Sequence, residues 1–167
     1  MTGRLGIIVL TSAAAALTLF GERAPSLIWN VSDSVPAGLY RLVPAEPLFI
    51  TELVAVSPPE PLAGFLDLNG ILPAGVPMLK RVLALPGQIV CRDGPTITVD
   101  GVEVGEARQH DGRGRPLPAW RGCLTILPGE IFLMNWQSAD SFDSRYFGPI
   151  ASSAILGRAV PVWTSEP

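Results

Sequence analysis

The stretch M-L-K-R-V-L-A-L-P-G-Q-I-V-C, Met78 to Cys91, decides how the chain is read. Its apolar density suits a strand, and the two-residue period of a strand puts Lys80, Val82 and Ala84 on one face. If that face is the core side, the lysine is desolvated. Lys80 is also the only lysine among twelve basic residues. Arginine keeps its proton at any ordinary pH, whereas burial can neutralise lysine and turn it into a base. A coding preference for arginine explains the count equally well.

Around this stretch the chain reads as short strands joined by turns. Seventeen glycines and seventeen prolines are spread without a period through 167 residues, which predicts a mainly β fold. With 48% hydrophobic residues the chain can bury one domain core, or a core with a small lobe. A net charge of −3 argues against nucleic acid as a partner, because neutralising phosphates needs a basic face.

Downstream, T-I-T-V-D-G-V-E-V over residues 96–104 is a hairpin signal, since Asp100-Gly101 supplies the positive φ angles of a two-residue turn. Residues 106–122 form a polar loop holding Arg108, Arg113, Arg115, Arg121 and the only histidine, His110. That loop is either a basic surface for an anionic partner or a solvated connection. Strands follow over 124–127 and 130–135, around the turn Pro128-Gly129, and over 155–163. Upstream, residues 38–43 and 53–56 read as strands, 61–75 as loop with at most one helical turn, and 24–29 as a connector.

Cys91 and Cys123 bracket the hairpin region. With no C-x-x-C and one histidine they make a poor zinc site. They form a disulfide clasp suited to an exported domain, or remain two buried thiols. Sixteen uncharged residues, Leu5 to Phe20, fall short of the ~20 a spanning helix needs and overlap the range of signal-peptide cores. Glu22-Arg23 follows closely, so an uncleaved N-terminal apolar helix is expected, with the bulk of the chain outside the cytoplasm.

Two polar stretches carry candidate chemistry. In N-V-S-D-S-V-P-A-G-L-Y, residues 30–40, Ser34 precedes Pro36 and Gly38, which restrict and then release the backbone and so present its hydroxyl. An ordinary turn would leave Ser34 bonded to its own backbone. Asn30-Val31-Ser32 also fits a glycosylation sequon, here taken as chance. In N-W-Q-S-A-D-S-F-D-S-R-Y-F-G, residues 135–148, Asp143 and Arg145 are placed to pair and Ser141 to reach a neighbouring base.

Taken in order, these three stretches resemble the S26 signal peptidase family, and more closely its conjugative-transfer branch, the TraF-type peptidases. The boxes that match are S-D-S-V-P-A-G-L-Y, K-R-V-L-A-L-P-G-Q-I-V and S-F-D-S-R-Y-F-G-P. The resemblance implies an antiparallel β-sheet catalytic core over residues 24–167, after an N-terminal membrane anchor or signal segment at 1–23. It also implies a β-hairpin lobe inserted at about 91–127. Ser34 is the implied nucleophile and Lys80 the general base. Ser32 is implied in the oxyanion hole, Ser141 in orienting the lysine, and Asp143 with Arg145 as a brace. No cofactor or metal is implied. The implied substrate is an exported or membrane-bound precursor such as a conjugative pilin, cut at the periplasmic face of the inner membrane, or in the periplasm if the N-terminal segment is removed. Gln88 departs from the aspartate common after Pro-Gly in the lysine box, and Asn135-Trp136 replaces the usual Gly-Asp-Asn start of the last.

Two other readings compete. A Ser-His-Asp hydrolase would need His110, which lies far from both boxes and lacks a G-x-S-x-G elbow. A non-catalytic exported β-domain would scaffold a secretion or pilus assembly.

Overall fold

The computed structural model describes residues 26–165; the apolar run over residues 5–20 lies outside them. Two antiparallel sheets form the fold. The first, seven-stranded, has the order β1 (Leu27–Asn30), β2 (Gly38–Val43), β11 (Ile155–Thr164), β3 (Leu53–Val56), β4 (Met78–Ala84), β9 (Glu130–Leu133) and β10 (Ile150–Ala151). The second has the order β7 (Val102–Glu106), β6 (Thr96–Val99), β5 (Ile89–Asp93) and β8 (Gly122–Thr125). The mainly β expectation therefore holds.

Strand β4 is central and buried on both faces. Met78 and Val82 pack with Val54, Val56, Ile131 and Leu133 on one side, while Leu79 packs with Tyr40, Leu53 and Ala55 on the other. This continuous burial is why the stretch reads as an apolar run rather than a clean alternation. The expected shared face of Lys80, Val82 and Ala84 is interrupted, because the pairing with β9 shifts register between Val82 and Ala84. Ala84 consequently joins Leu83, Val90, Ile97 and Phe132 in a separate core beneath the four-stranded sheet.

The hairpin forms as its turn chemistry dictates: Asp100 and Gly101 have φ of 51° and 82°, and β6 pairs with β7. Gln88, the departure in the lysine box, has work nearby. Its Oε1 accepts from Leu85 N and its Nε2 donates to Asp100, closing the turn between β4 and β5. A disulfide joins Cys91 and Cys123, which face each other across β5 and β8 with Cα atoms 4.0 Å apart. Cys123 is exposed and Cys91 half-buried, so the two are not the buried free thiols of the alternative reading.

Two elements differ from the sequence reading. Leu62–Leu68 is a helix, α1, where a loop with at most one turn was expected; Leu62 and Leu66 turn inward onto the β4 core. Leu27–Asn30 is the edge strand β1 rather than a connector, paired Asn30 to Gly38. Strands β8 and β9, on either side of Pro128-Gly129, belong to different sheets, so this turn is the return crossing from the second sheet to the first.

Candidate active site

The serine stretch spans the gap between β1 and β2. Gly38 is required at its exit: φ is 146°, and a Cβ there would lie 2.2 Å from the Trp163 carbonyl of β11. Tyr40, buried beneath, donates its hydroxyl to Pro36 O at 2.6 Å and ties the turn to β2. Asn30 ends β1, is 8% exposed, and its carboxamide reaches back over the turn. Nδ2 lies 2.9, 3.0 and 3.2 Å from the carbonyls of Ser32, Val35 and Pro36. Oδ1 accepts from Ser32 N at 3.1 Å and Ser32 Oγ at 2.8 Å. Ser32 Oγ in turn lies 3.1 Å from Ser34 Oγ. A glycan on Asn30 is incompatible with this burial and bonding.

Lys80 sits in the middle of β4 and is 6% exposed. Its ammonium donates to Ser141 Oγ at 2.8 Å. Burial pulls its pKa down to about 8, against an upward pull from Asp143 and with a smaller downward push from Arg145. Ser34, Lys80 and Ser141 line one cleft of about 350 Å³ together with Ser32, Asp33, Met78 and Phe142. Helix α1 and the turn after it add apolar lining through Leu66, Ile71, Leu72 and Val76, and Phe65 stacks on Phe142. Among the described residues Ser34 and Lys80 share no hydrogen bond: the serine is turned to Ser32 and the lysine to Ser141.

The last box folds into a brace around the lysine. Asp143 caps the four-residue helix α2, Ser144–Phe147, by accepting from Arg145 N. Its carboxylate, 0% exposed, is gripped by Arg145, 1% exposed, through Nε–Oδ1 and Nη2–Oδ2 contacts of 2.8 Å each. Such a two-point pairing satisfies the charge of both partners away from water. Arg145 also donates to Ser138 O and Ser141 O, at 2.9 and 3.0 Å, which sets the backbone that carries the Ser141 hydroxyl. Asp143 Oδ2 accepts from Asn135 N at 3.1 Å.

Asn135 is a positioning residue that the sequence reading missed. Its side chain accepts from Arg81 N at 3.0 Å and donates to Leu79 O at 3.1 Å, the two peptide groups flanking Lys80. Beyond Leu133, where β9 ends and its ladder with β4 stops at Val82, this carboxamide stands in for a strand. Asn30 was missed likewise, because asparagine at a turn reads as ordinary turn chemistry. His110 is exposed in the loop of the second sheet, bridged to Pro116, and does not line the cleft. Of the arginines beside it, Arg108 pairs with Asp140 and Arg115 with Asp111. Among the described residues no group of three or more His, Cys, Asp or Glu side chains is placed to hold a metal.

Lys80 is thus buried in the cleft that Ser34 also lines. The chain belongs to the signal peptidase, peptidase S26, family, whose model matches residues 2–164. It is 38% identical to the conjugal transfer protein TraF of Agrobacterium fabrum, over 92% of this chain and 93% of that protein. It is 34% identical to the probable conjugal transfer protein TraF of Sinorhizobium fredii, over 98% and 90% respectively. A plasmid transfer protein TraF of Escherichia coli is 34% identical over 94% of this chain and 93% of its own length.

Proposed function

We propose that this chain is a serine endopeptidase that uses Ser34 as nucleophile and Lys80 as general base on exported or membrane-bound precursors. The observation that carries this reading is the burial of the only lysine in the cleft that presents Ser34, with its pKa lowered to about 8. A lysine of ordinary pKa, about 10.4, holds its proton too tightly to serve as a base near neutrality.

In the proposed cycle the Ser34 hydroxyl turns from Ser32 toward Lys80 Nζ, gives up its proton, and attacks the scissile carbonyl. Lys80 then protonates the leaving amine, and a water entering the vacated space is activated by the same amine to release the acyl group. Ser141 holds Nζ in line, and the Asp143–Arg145 brace holds Ser141. Ser32 Oγ and the Ser34 N–H are the proposed donors to the oxyanion.

The TraF relatives support a role in conjugal transfer, and we propose a conjugative pilin precursor as substrate, processed at the periplasmic face of the inner membrane. Among the described residues no helix is long and apolar enough to cross a membrane; the proposed attachment rests on the sequence of residues 5–20.

The test is intact-mass analysis of the purified protein with candidate precursors, alongside labelling by a β-lactam or lipopeptide acylating inhibitor. A single acyl adduct on Ser34 and precursor cleavage that disappears in Ser34→Ala are expected. A protein that neither labels nor cleaves, yet supports pilus assembly, would instead be a scaffold.

A further inference from the structure

The direction of the proton on Ser34 can be worked out from the partners of Asn30. Backbone carbonyls only accept, so the side-chain group facing Ser32 O, Val35 O and Pro36 O at 2.9–3.2 Å must be the NH2. A backbone N–H only donates, so the group facing Ser32 N must be the carbonyl. The two constraints agree, and the carboxamide has one possible orientation. Because Oδ1 only accepts, the Ser32 hydroxyl must spend its single proton on it, across 2.8 Å. Ser32 then has only lone pairs to offer across the 3.1 Å contact to Ser34. The proton in that contact is therefore Ser34's.

We infer that Asn30 is the positioning residue of the nucleophile: it polarises the chain Ser34 to Ser32 to Asn30 and, through the NH2, pins the backbone that carries both serines. This rests on Ser34 being the nucleophile. Two consequences follow for the reaction. Before substrate arrives, the Ser34 proton is held on Ser32 and away from Lys80, which is occupied by Ser141. For Ser32 to donate to an oxyanion, its hydroxyl must leave Asn30 Oδ1, so Asn30 sets the cost of forming the oxyanion hole.

Turnover should be measured against pH for Asn30→Ala, Ser32→Ala and the double variant, with Ser34→Ala as control. Asn30→Ala is expected to lower kcat by about 10²-fold, the size of loss a misplaced reacting group produces. KM and the midpoint of the pH profile should stay put, because Lys80 keeps its surroundings. The double variant should lose less than the product of the two single losses, since part of the Asn30 effect runs through the Ser32 hydroxyl. Losses that multiply, or a change confined to KM, would overturn the inference. If Asn30→Ala does not fold, the wild-type protein decides: the Asn30 side-chain NH2 protons should exchange with solvent far more slowly than those of an exposed asparagine by NMR. Exchange as fast as that of a solvated side-chain amide would rule the assignment out. Cleavage that survives Ser34→Ala would sink the nucleophile itself, whereas cleavage lost in Ser34→Ala but intact in Asn30→Ala would sink only the positioning role.

Discussion

At Lys80 stability and the proposed role as a base conflict. Burying an ammonium is unfavourable, and that unfavourable term is what lowers the pKa to about 8. Below pH 8 both folded and unfolded chains carry the proton, and the folded one bears the full desolvation penalty. Between 8 and the ordinary value of 10.5 only the unfolded chain keeps it, so this group makes stability rise with pH. Lys80→Met should remove that rise and add stability at neutral pH, on the order of 3 kcal/mol. Urea unfolding of both proteins at neutral and at alkaline pH reads the difference. Activity should run the same way, climbing as pH passes about 8, because only the neutral amine takes the serine proton. Lys80→Arg keeps the charge but cannot release it, so it should be inactive with the fold retained. His110→Ala, in an exposed loop, should keep near wild-type turnover. An active Lys80→Arg protein would revive the histidine reading.

Among the elements, α2 is too short to stand alone. It exists because Asp143 caps it and Arg145 spreads over the cap and three further carbonyls, those of Glu106, Ser138 and Ser141. Arg145→Ala leaves a buried carboxylate without its charge partner and should cost about 3–5 kcal/mol, read as a lower unfolding midpoint together with lost activity. A variant as stable as wild type would show that the pair contributes nothing. Strand β4 depends on Asn135 in a similar way. Asn135→Ala strands Leu79 O and Arg81 N, buried groups whose loss of partners costs about 1–3 kcal/mol each. It should therefore destabilise the fold and lower kcat, since these peptides carry Lys80 between them.

On the scale of the whole molecule, the second sheet is tied to the brace by Arg92, a buried guanidinium whose polar partners are the carbonyls of Gly94, Pro118 and Arg145. Arg92 follows Cys91 on β5, so the strand that carries the disulfide also holds the C-terminal end of the brace. The Cys91–Cys123 bond closes 32 residues, and the chain-entropy model gives such a loop about 3–4 kcal/mol. Replacing both cysteines by serine should lower stability by up to that amount, measured by thermal unfolding of protein purified without reductant. Non-reducing mass spectrometry of that protein should find the two linked. Two alkylatable thiols would contradict it.

Much of this architecture is written in local chemistry. Asp100-Gly101 specifies its hairpin because few other residue pairs accept two positive φ angles, and the apolar run around Lys80 specifies a strand buried on both faces because Arg81 is the only other charge between Met78 and Cys91. Gly38 is legible as a release point, although only the approach of β11 shows why no side chain fits there. The three boxes, in order, identify the family. Tertiary structure decided the rest, because the deciding partners are remote in sequence. Helix α1 is one example: seven residues after consecutive prolines are too few for a reliable period, and Leu62 and Leu66 become helical through packing on β4. The assignment of β8 and β9 to separate sheets is another, since a strand's sequence does not name its neighbour. Nor does an asparagine's. Asn30 and Asn135 could have served any turn, and they organise this cleft because the sheet brings unpaired peptide groups within about 3 Å of their carboxamides, where a buried group without a partner is costly.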